Sequence, residues 1–144
     1  MIDLIKKFEG CKLKAYKCPA GKWTIGYGHT LGVKQGDRIT KEQAEKLLNE
    51  DVKGVIEFLN KLKLRLNPNQ FEALVSFIYN IGVRNFSYSH VYELIKKDAN
   101  SEKVGLEIRR WIYADGQKLR GLELRREAEK NKYYETINTD MHHT

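Results

Sequence analysis

Five glycines, Gly21, Gly26, Gly28, Gly32 and Gly36, fall within 16 consecutive residues of this 144-residue chain. No helix persists through such a run, because each glycine costs about 1 kcal/mol relative to alanine in a helix interior. Between them lie short β-prone pieces, AYKC, WTIGYGHT and GVKQGDRI. Residues from about 12 to 39 therefore read as a small antiparallel β region.

Both flanks carry helical patterns instead. Ile2, Ile5 and Phe8 recur at helical spacing, and Gly10 stops a short helix over residues 2–9. Thr40, with Gln43 three residues on, has the form of a capping box opening a helix to about Asn60. Its buried face is expected to hold Ala44, Leu47, Leu48, Val52, Val55 and Leu59. Asn67-Pro68-Asn69-Gln70 repeats the start signal, and the next helix, with Phe71, Leu74, Val75, Phe77 and Ile78, ends near Gly82. Further helices are expected over about 88–97, 101–113 (Val104, Ile108 and Trp111 inward) and 121–136, with a turn at Asp115-Gly116. One β patch followed by about five helices is an α+β arrangement with segregated parts.

Composition narrows the partners. A formal charge of +7 favours polyanions such as nucleic acid, an anionic membrane or a bacterial wall. Acids and bases alternate in LLNEDVKGVIEFLNKLK and LELRREAEKNK, so much of that charge is a solvated helical face. No apolar stretch approaches the roughly 18–20 residues of a spanning helix, and MIDLIKKFEG lacks the apolar core of a signal peptide. Cys11 and Cys18 make no disulfide framework, and no Cys/His spacing suits zinc, so neither metal nor cofactor is expected. A Cys11–Cys18 bridge is the lesser alternative to two free thiols.

Three residues carry candidate chemistry. Glu9 stands at the C-terminal end of the first helix, where the macrodipole disfavours a second negative charge and so favours a protonated acid. Such an acid suits general-acid catalysis, though a surface glutamate would look the same. Cys18-Pro19-Ala20-Gly21 reads as a tight turn with a thiol at its first position. Lys17 and Lys22 would promote the thiolate if they lay close. In WTIGYGHT, strand alternation sets Trp23, Ile25, Tyr27 and His29 on one face and Thr24, Gly26, Gly28 and Thr30 on the other. The second face is bare around one hydroxyl, open either to a ligand or to a closely packed helix. His29, on the aromatic side, reads as a fold-stabilising residue rather than a base.

EG-x-x-LKAY-x-CPAG-x-WTIGYGHT resembles the active-site segment of bacteriophage-type lysozymes, glycoside hydrolase family 24. That family's triad is a glutamate, eight residues, an aspartate or in some members a cysteine, five residues, and a threonine. Glu9, Cys18 and Thr24 fit both intervals. GDRIT-KEQAEKLL, NQFEALVSFIYNIG and RRWIYADGQKLRGLELRREAE extend the resemblance along most of the chain. It implies one lysozyme-like catalytic domain over 1–144, with a β-containing lobe about 1–60 and a helical lobe about 61–144.

The resemblance also implies hydrolysis of β-1,4 links between N-acetylmuramic acid and N-acetylglucosamine, in phage release and bacteriolysis. Glu9 would be the general acid, and Thr24 would hold the attacking water or the distorted sugar. Cys18 stands where many members carry the second carboxylate, and three roles stay open for it: base, nucleophile, or passive turn residue. Tyr79 resembles a position lining the saccharide cleft. Arg125 or Arg126 would bring a guanidinium near Glu9, although most arginines on such a helix face solvent. The implied partner is the peptidoglycan glycan strand, met by a monomer without nucleic acid or membrane. The protein would be made in the bacterial host cytoplasm and act on the wall. Two other readings share some features: a non-catalytic peptidoglycan-binding module, and a nucleic-acid-binding protein suggested by charge alone.

Overall fold

The computed structural model describes residues 1–136; residues 137–144 of the expected unit lie outside the described residues. Helix α1 (Asp3–Glu9) leads into strand β1 (Lys12–Lys17), which pairs antiparallel with β2 (Trp23–Gly26). The pairs are Lys12↔Gly26, Tyr16↔Thr24 and Lys17↔Trp23, with an irregularity between Lys12 and Tyr16. GVKQGDRI supplies no strand. It covers the other edge of β1 through one bridge, Lys14↔Arg38, with Ala15 donating to Asp37 O at 2.9 Å and Ile39 to Leu13 O at 2.9 Å.

The alternation expected across residues 23–30 stops at Gly26. Ile25 and His29 exchange both backbone hydrogen bonds at 2.9 Å, so the chain reverses through Gly26, Tyr27 and Gly28. Gly26 and Gly28 take φ of +65° and +92°, a region costly for other residues. Their missing side chains face protein. A Cβ on Gly26 would lie 3.5 Å from Ala44, and one on Gly28 2.8 Å from Glu9 Oε1. These glycines permit close packing, and Gly28 also lines an open cleft with Thr24 and Thr30, so both readings of this face hold in part. Tyr27, freed from the strand pattern, is buried and donates its hydroxyl to Glu45 at 3.0 Å.

Helix α2 (Lys41–Lys61) starts from the Thr40 capping box, with Gln43 N–H donating to Thr40 Oγ1 at 3.1 Å and Thr40 N–H to Gln43 Oε1 at 2.8 Å. Ala44, Leu48, Val52, Val55 and Leu59 are buried along it, while Leu47 is half-buried. The Asn67 box opens α3 (Pro68–Ile81) in the same way.

Then the chain departs from expectation. Gly82 at φ +93° breaks the helix, and a five-residue helix α4 (Val83–Ser87) follows before α5 (His90–Asp98). Helix α6 (Glu102–Ile108) ends five residues earlier than the apolar spacing suggests. The cause is local. Asp115 and Gly116 both have positive φ, +53° and +76°, as a primed hairpin turn demands. The turn recruits β3 (Tyr113–Ala114) and β4 (Gln117–Lys118), taking residues that the helix would have used. Trp111 therefore lies beyond α6, half-buried, with its ring edge-on to Phe77 at 6.1 Å. Helix α7 (Arg120–Tyr133) closes the described chain.

The core gathers Ile5, Tyr27, the buried face of α2, most of α3, Phe86, Val91, Val104, Ile108 and Tyr133. Helix α3 runs through it and packs most extensively against α7; α1 packs on both. Beyond α7, Tyr134 folds back onto α6. Its hydroxyl accepts from Gly105 N–H at 2.8 Å and donates to Ser101 O at 2.7 Å. Gly105 has no alternative, since a Cβ there would meet the Tyr134 ring at 2.6 Å. Tyr133 donates to Ala99 O at 2.6 Å from a fully buried position. No described helix is long and apolar enough to cross a membrane.

Candidate active site

A cleft of about 490 Å³ lies where the end of α1, the β1–β2 turn, the end of α3 and the β3–β4 hairpin meet. It brings together all four residues singled out from the sequence: Glu9, Cys18, Thr24 and Tyr79. A shallower depression on the outside of α2 is lined only by solvated side chains such as Glu42, Lys46 and Lys53.

Glu9 ends α1, with Gly10 at φ +65° turning the chain away and donating to Lys6 O at 3.2 Å. Its carboxyl is also paired. Arg125 Nη1 donates to Oε2 at 2.6 Å, across 116 residues of sequence. Oε1 lies on the Gly28 side, where the absent Cβ leaves room for it. The carboxyl thus has one oxygen held by Arg125 and the other packed against Gly28, which lines the same cleft.

Cys18 begins the expected turn: Gly21 N–H donates to Cys18 O at 2.8 Å, and Cys18 N–H to Lys22 O at 2.9 Å. Burial acts to raise the thiol above its ordinary range. Hydrogen bonds to the sulfur from the backbone of Lys22 and Ala20 and from the Thr24 hydroxyl outweigh it, and the net direction is down. The charges of Lys17 and Lys22, which the sequence offered as a cause, do not act on the thiol; Lys17 instead sits over the Trp23 ring at 5.5 Å. Thr24, 3% exposed, lies 3.0 Å from Lys22 O, so its single hydroxyl proton goes either to the turn or to the sulfur. Tyr79 lines the cleft, and its hydroxyl donates to Tyr27 O at 2.6 Å. Burial, and then the charges of Glu9 and Asp51, push its phenol up, so it stays a neutral donor.

Cys11 and Cys18 are free. They stand at opposite ends of β1, roughly 20 Å apart at the usual rise per strand residue, and a disulfide needs Cα atoms within about 7 Å. His29 places Nδ1 2.8 Å from Asp51 and Nε2 2.9 Å from Leu31 O, which ties the reversal at Gly26–Gly28 to α2.

Of the two readings of the last helix's arginines, the guanidinium beside Glu9 is the one found, supplied by Arg125, and neither arginine faces solvent. Arg125 and Arg126 are 3% and 1% exposed. Between them lies Glu129, fully buried, with Oε2 3.2 Å from Arg125 Nε and Oε1 3.2 Å from Arg126 Nε. Ser76 donates to Glu129 Oε2 at 2.6 Å, and Arg125 Nη2 donates to Ser76 O at 3.2 Å. Arg126 donates to Asn80 Oδ1 and lies over the Phe77 ring at 5.0 Å. Burial pulls Arg126 down to about 10, and burial pushes Glu129 up. Both signals were in the sequence: Ser76 interrupts the apolar run of α3, and Glu129 follows the arginines by four and three residues.

Relatives share this architecture. Phage lysozyme is the family whose pattern matches residues 6–129. An endolysin of Acyrthosiphon pisum secondary endosymbiont phage 1 is 45% identical over 88% of this chain and 90% of its own. The endolysin of Bacillus phage PZA is 42% identical over 90% of this chain, which spans 51% of that longer protein. Among solved structures, the muramidase domain of SpmX from Asticaccaulis excentricus superimposes with a TM-score of 0.82 at 36% identity, covering 94% of this chain and 95% of that one. The endolysin from Escherichia coli O157:H7 phage FAHEc1 gives 0.79 at 36%, covering 94% and 91%. Sequence pattern, relatives and fold agree: the chain belongs to the phage lysozyme family.

Proposed function

We propose that this chain is an endolysin that hydrolyses the β-1,4 bond between N-acetylmuramic acid and N-acetylglucosamine, with Glu9 as general acid and Cys18 as base. The observation that carries the reading is the convergence of Glu9, Cys18 and Thr24 on one cleft, with the thiolate of Cys18 favoured by its hydrogen bonds.

Each step then falls to a named atom. Arg125 holds Glu9 Oε2, so Oε1 carries the proton and passes it to the glycosidic oxygen as the bond to C1 breaks. Water attacks C1 from the opposite face, and the Cys18 sulfur takes its proton. Thr24 steadies that sulfur and the water beside it. The product has an inverted anomeric centre, and solvent returns a proton to Glu9 and removes one from Cys18. Family membership supports peptidoglycan as the substrate, and the +7 charge suits an anionic wall. The acting unit is a single lysozyme-like domain working as a monomer, made in the host cytoplasm and delivered to the wall.

The test is mass analysis of digested peptidoglycan with wild type, Glu9→Gln and Cys18→Ser. Reducing-end muramic acid is expected from wild type, and Glu9→Gln should lose about 10²–10⁴-fold in rate. An anhydro product would make the chain a lytic transglycosylase instead. Full activity in Cys18→Ser would defeat the thiolate base, as would a product with retained anomeric configuration.

A further inference from the structure

Asn80 is exposed at the cleft that holds Glu9, yet half of its amide is already committed. Its Oδ1 accepts from Arg126 Nη2. A guanidinium carries only donors, so the reverse orientation would set NH₂ against N–H. Arg126 cannot turn aside. It is 1% exposed, 3.2 Å from Glu129, and stacked on Phe77. The chemistry of Arg126 therefore fixes the amide, and this cleft-lining residue is left with Nδ2 as a donor that has no acceptor among the described residues. Asn85, exposed on the same cleft, is fixed in the opposite sense. Its Nδ2 donates to Ile81 O at 2.8 Å, which leaves Oδ1 as a free acceptor.

We propose that Asn80 and Asn85 read the acetamido group of an N-acetylated hexosamine, Asn80 donating to its carbonyl and Asn85 accepting from its N–H. This rests on the glycan substrate proposed above. Arg126 is a positioning residue for the pair. A carboxylate, such as the lactyl group of muramic acid, would suit Asn80 but be repelled by the oxygen of Asn85. An acetamido group satisfies both. A site built to hydrogen-bond a group rejects the analogue lacking it, because its own polar atoms are left unpaired.

Asn80→Asp keeps an oxygen for Arg126 and turns the remaining donor into an acceptor. In the Glu9→Gln background, binding is followed by tryptophan fluorescence, with Trp111 lining the cleft. The probes are peptide-free glycan strands, the same strands after de-N-acetylation, and chitotetraose, which has no lactyl group. Asn80→Asp should bind acetylated strands and chitotetraose about tenfold more weakly. It should bind the de-N-acetylated strands more tightly, since a carboxylate then meets an ammonium, and its melting temperature should not fall. Equal affinity for acetylated strands, an equal fall on all three probes, or a fall confined to lactyl-bearing strands would each overturn the proposal. Wild-type cleavage with an unaltered Asn80→Asp titration defeats this inference alone. Intact glycan in the presence of wild type, with the titrations shifted as expected, defeats the glycosidase reading and leaves the pair standing.

Discussion

The two sides of the cleft are built by opposite means. On the β side, Cys18, Lys22 and Thr24 lie within seven residues, and the turn itself aims backbone N–H groups at the sulfur. On the helical side, Glu9 is held by Arg125 across 116 residues, and Arg125 depends on Glu129 and Ser76, both buried. The first half is assembled by local geometry and needs little support. The second exists only when α1, α3 and α7 are packed. Damage to the helical side should therefore cost stability and activity together, and damage to the turn should cost activity alone.

Four measurements bear on that contrast. Removing Glu129 takes away the buried carboxylate that Arg125 and Arg126 share, so Glu129→Ala should lose about 3–5 kcal/mol in denaturant unfolding. A loss under 1 kcal/mol would mean that the ionic cluster is not what holds α7 to α3. Cys18→Ser should lower the clearing rate about 100-fold, equivalent to roughly 2.7 kcal/mol of activation energy, with stability within about 0.5 kcal/mol of wild type. Cys18→Asp should recover much of the rate. Gly28→Ala joins the two sides. It forces a Cβ to 2.8 Å from Glu9 Oε1 at φ +92°, and should cost about 1–3 kcal/mol in stability together with a marked loss of rate. Preserved activity would show that Oε1 can move without consequence.

The smallest expected effect is a displaced pH profile. On the proposed mechanism the Cys18 thiolate is the working form, so activity should fall as pH drops through the thiol's titration, which hydrogen bonding has moved below its usual place. In Cys18→Asp that acidic limb should move to the carboxylate range, about pH 4. An unchanged limb in the variant would assign it to another group.

The same division explains what could be read from the sequence. Thr40 with Gln43 and Asn67 with Gln70 are capping boxes whose partners lie three residues away, and both helices start where those residues say. The turn at Cys18 is equally local. Glu9, Cys18 and Thr24 were found together through family spacing, and the fold brings them to one cleft. By contrast, residues 23–30 have a clean alternating pattern, but Gly26 and Gly28 were needed for a reversal against Ala44 and Glu9. The α6 pattern ran past Ile108 because apolar spacing cannot register that Asp115-Gly116 claims strand partners. Arg125 and Arg126 read as solvated from the pattern of their own helix; the family resemblance brings one near Glu9, and Ser76 and Asn80 of α3 complete their bonding. Long-range satisfaction of buried charge leaves little trace in a single strand of text.

The Tyr133–Tyr134 clasp sets a boundary for anyone recombining this module with other parts. The stretch shared with the family ends at Glu129, and a fusion designed to that limit would look complete. It would cut away the two aromatic rings that fasten α7 to the loop after α5 and to α6 through Ala99, Ser101 and Gly105. Gly105 would be left facing a groove shaped for a ring that is no longer there. A graft that keeps the chain to Glu135 retains its own fastening. One trimmed to the shared stretch should express as a loosened body, vulnerable to proteases at α6 before it ever meets a cell wall.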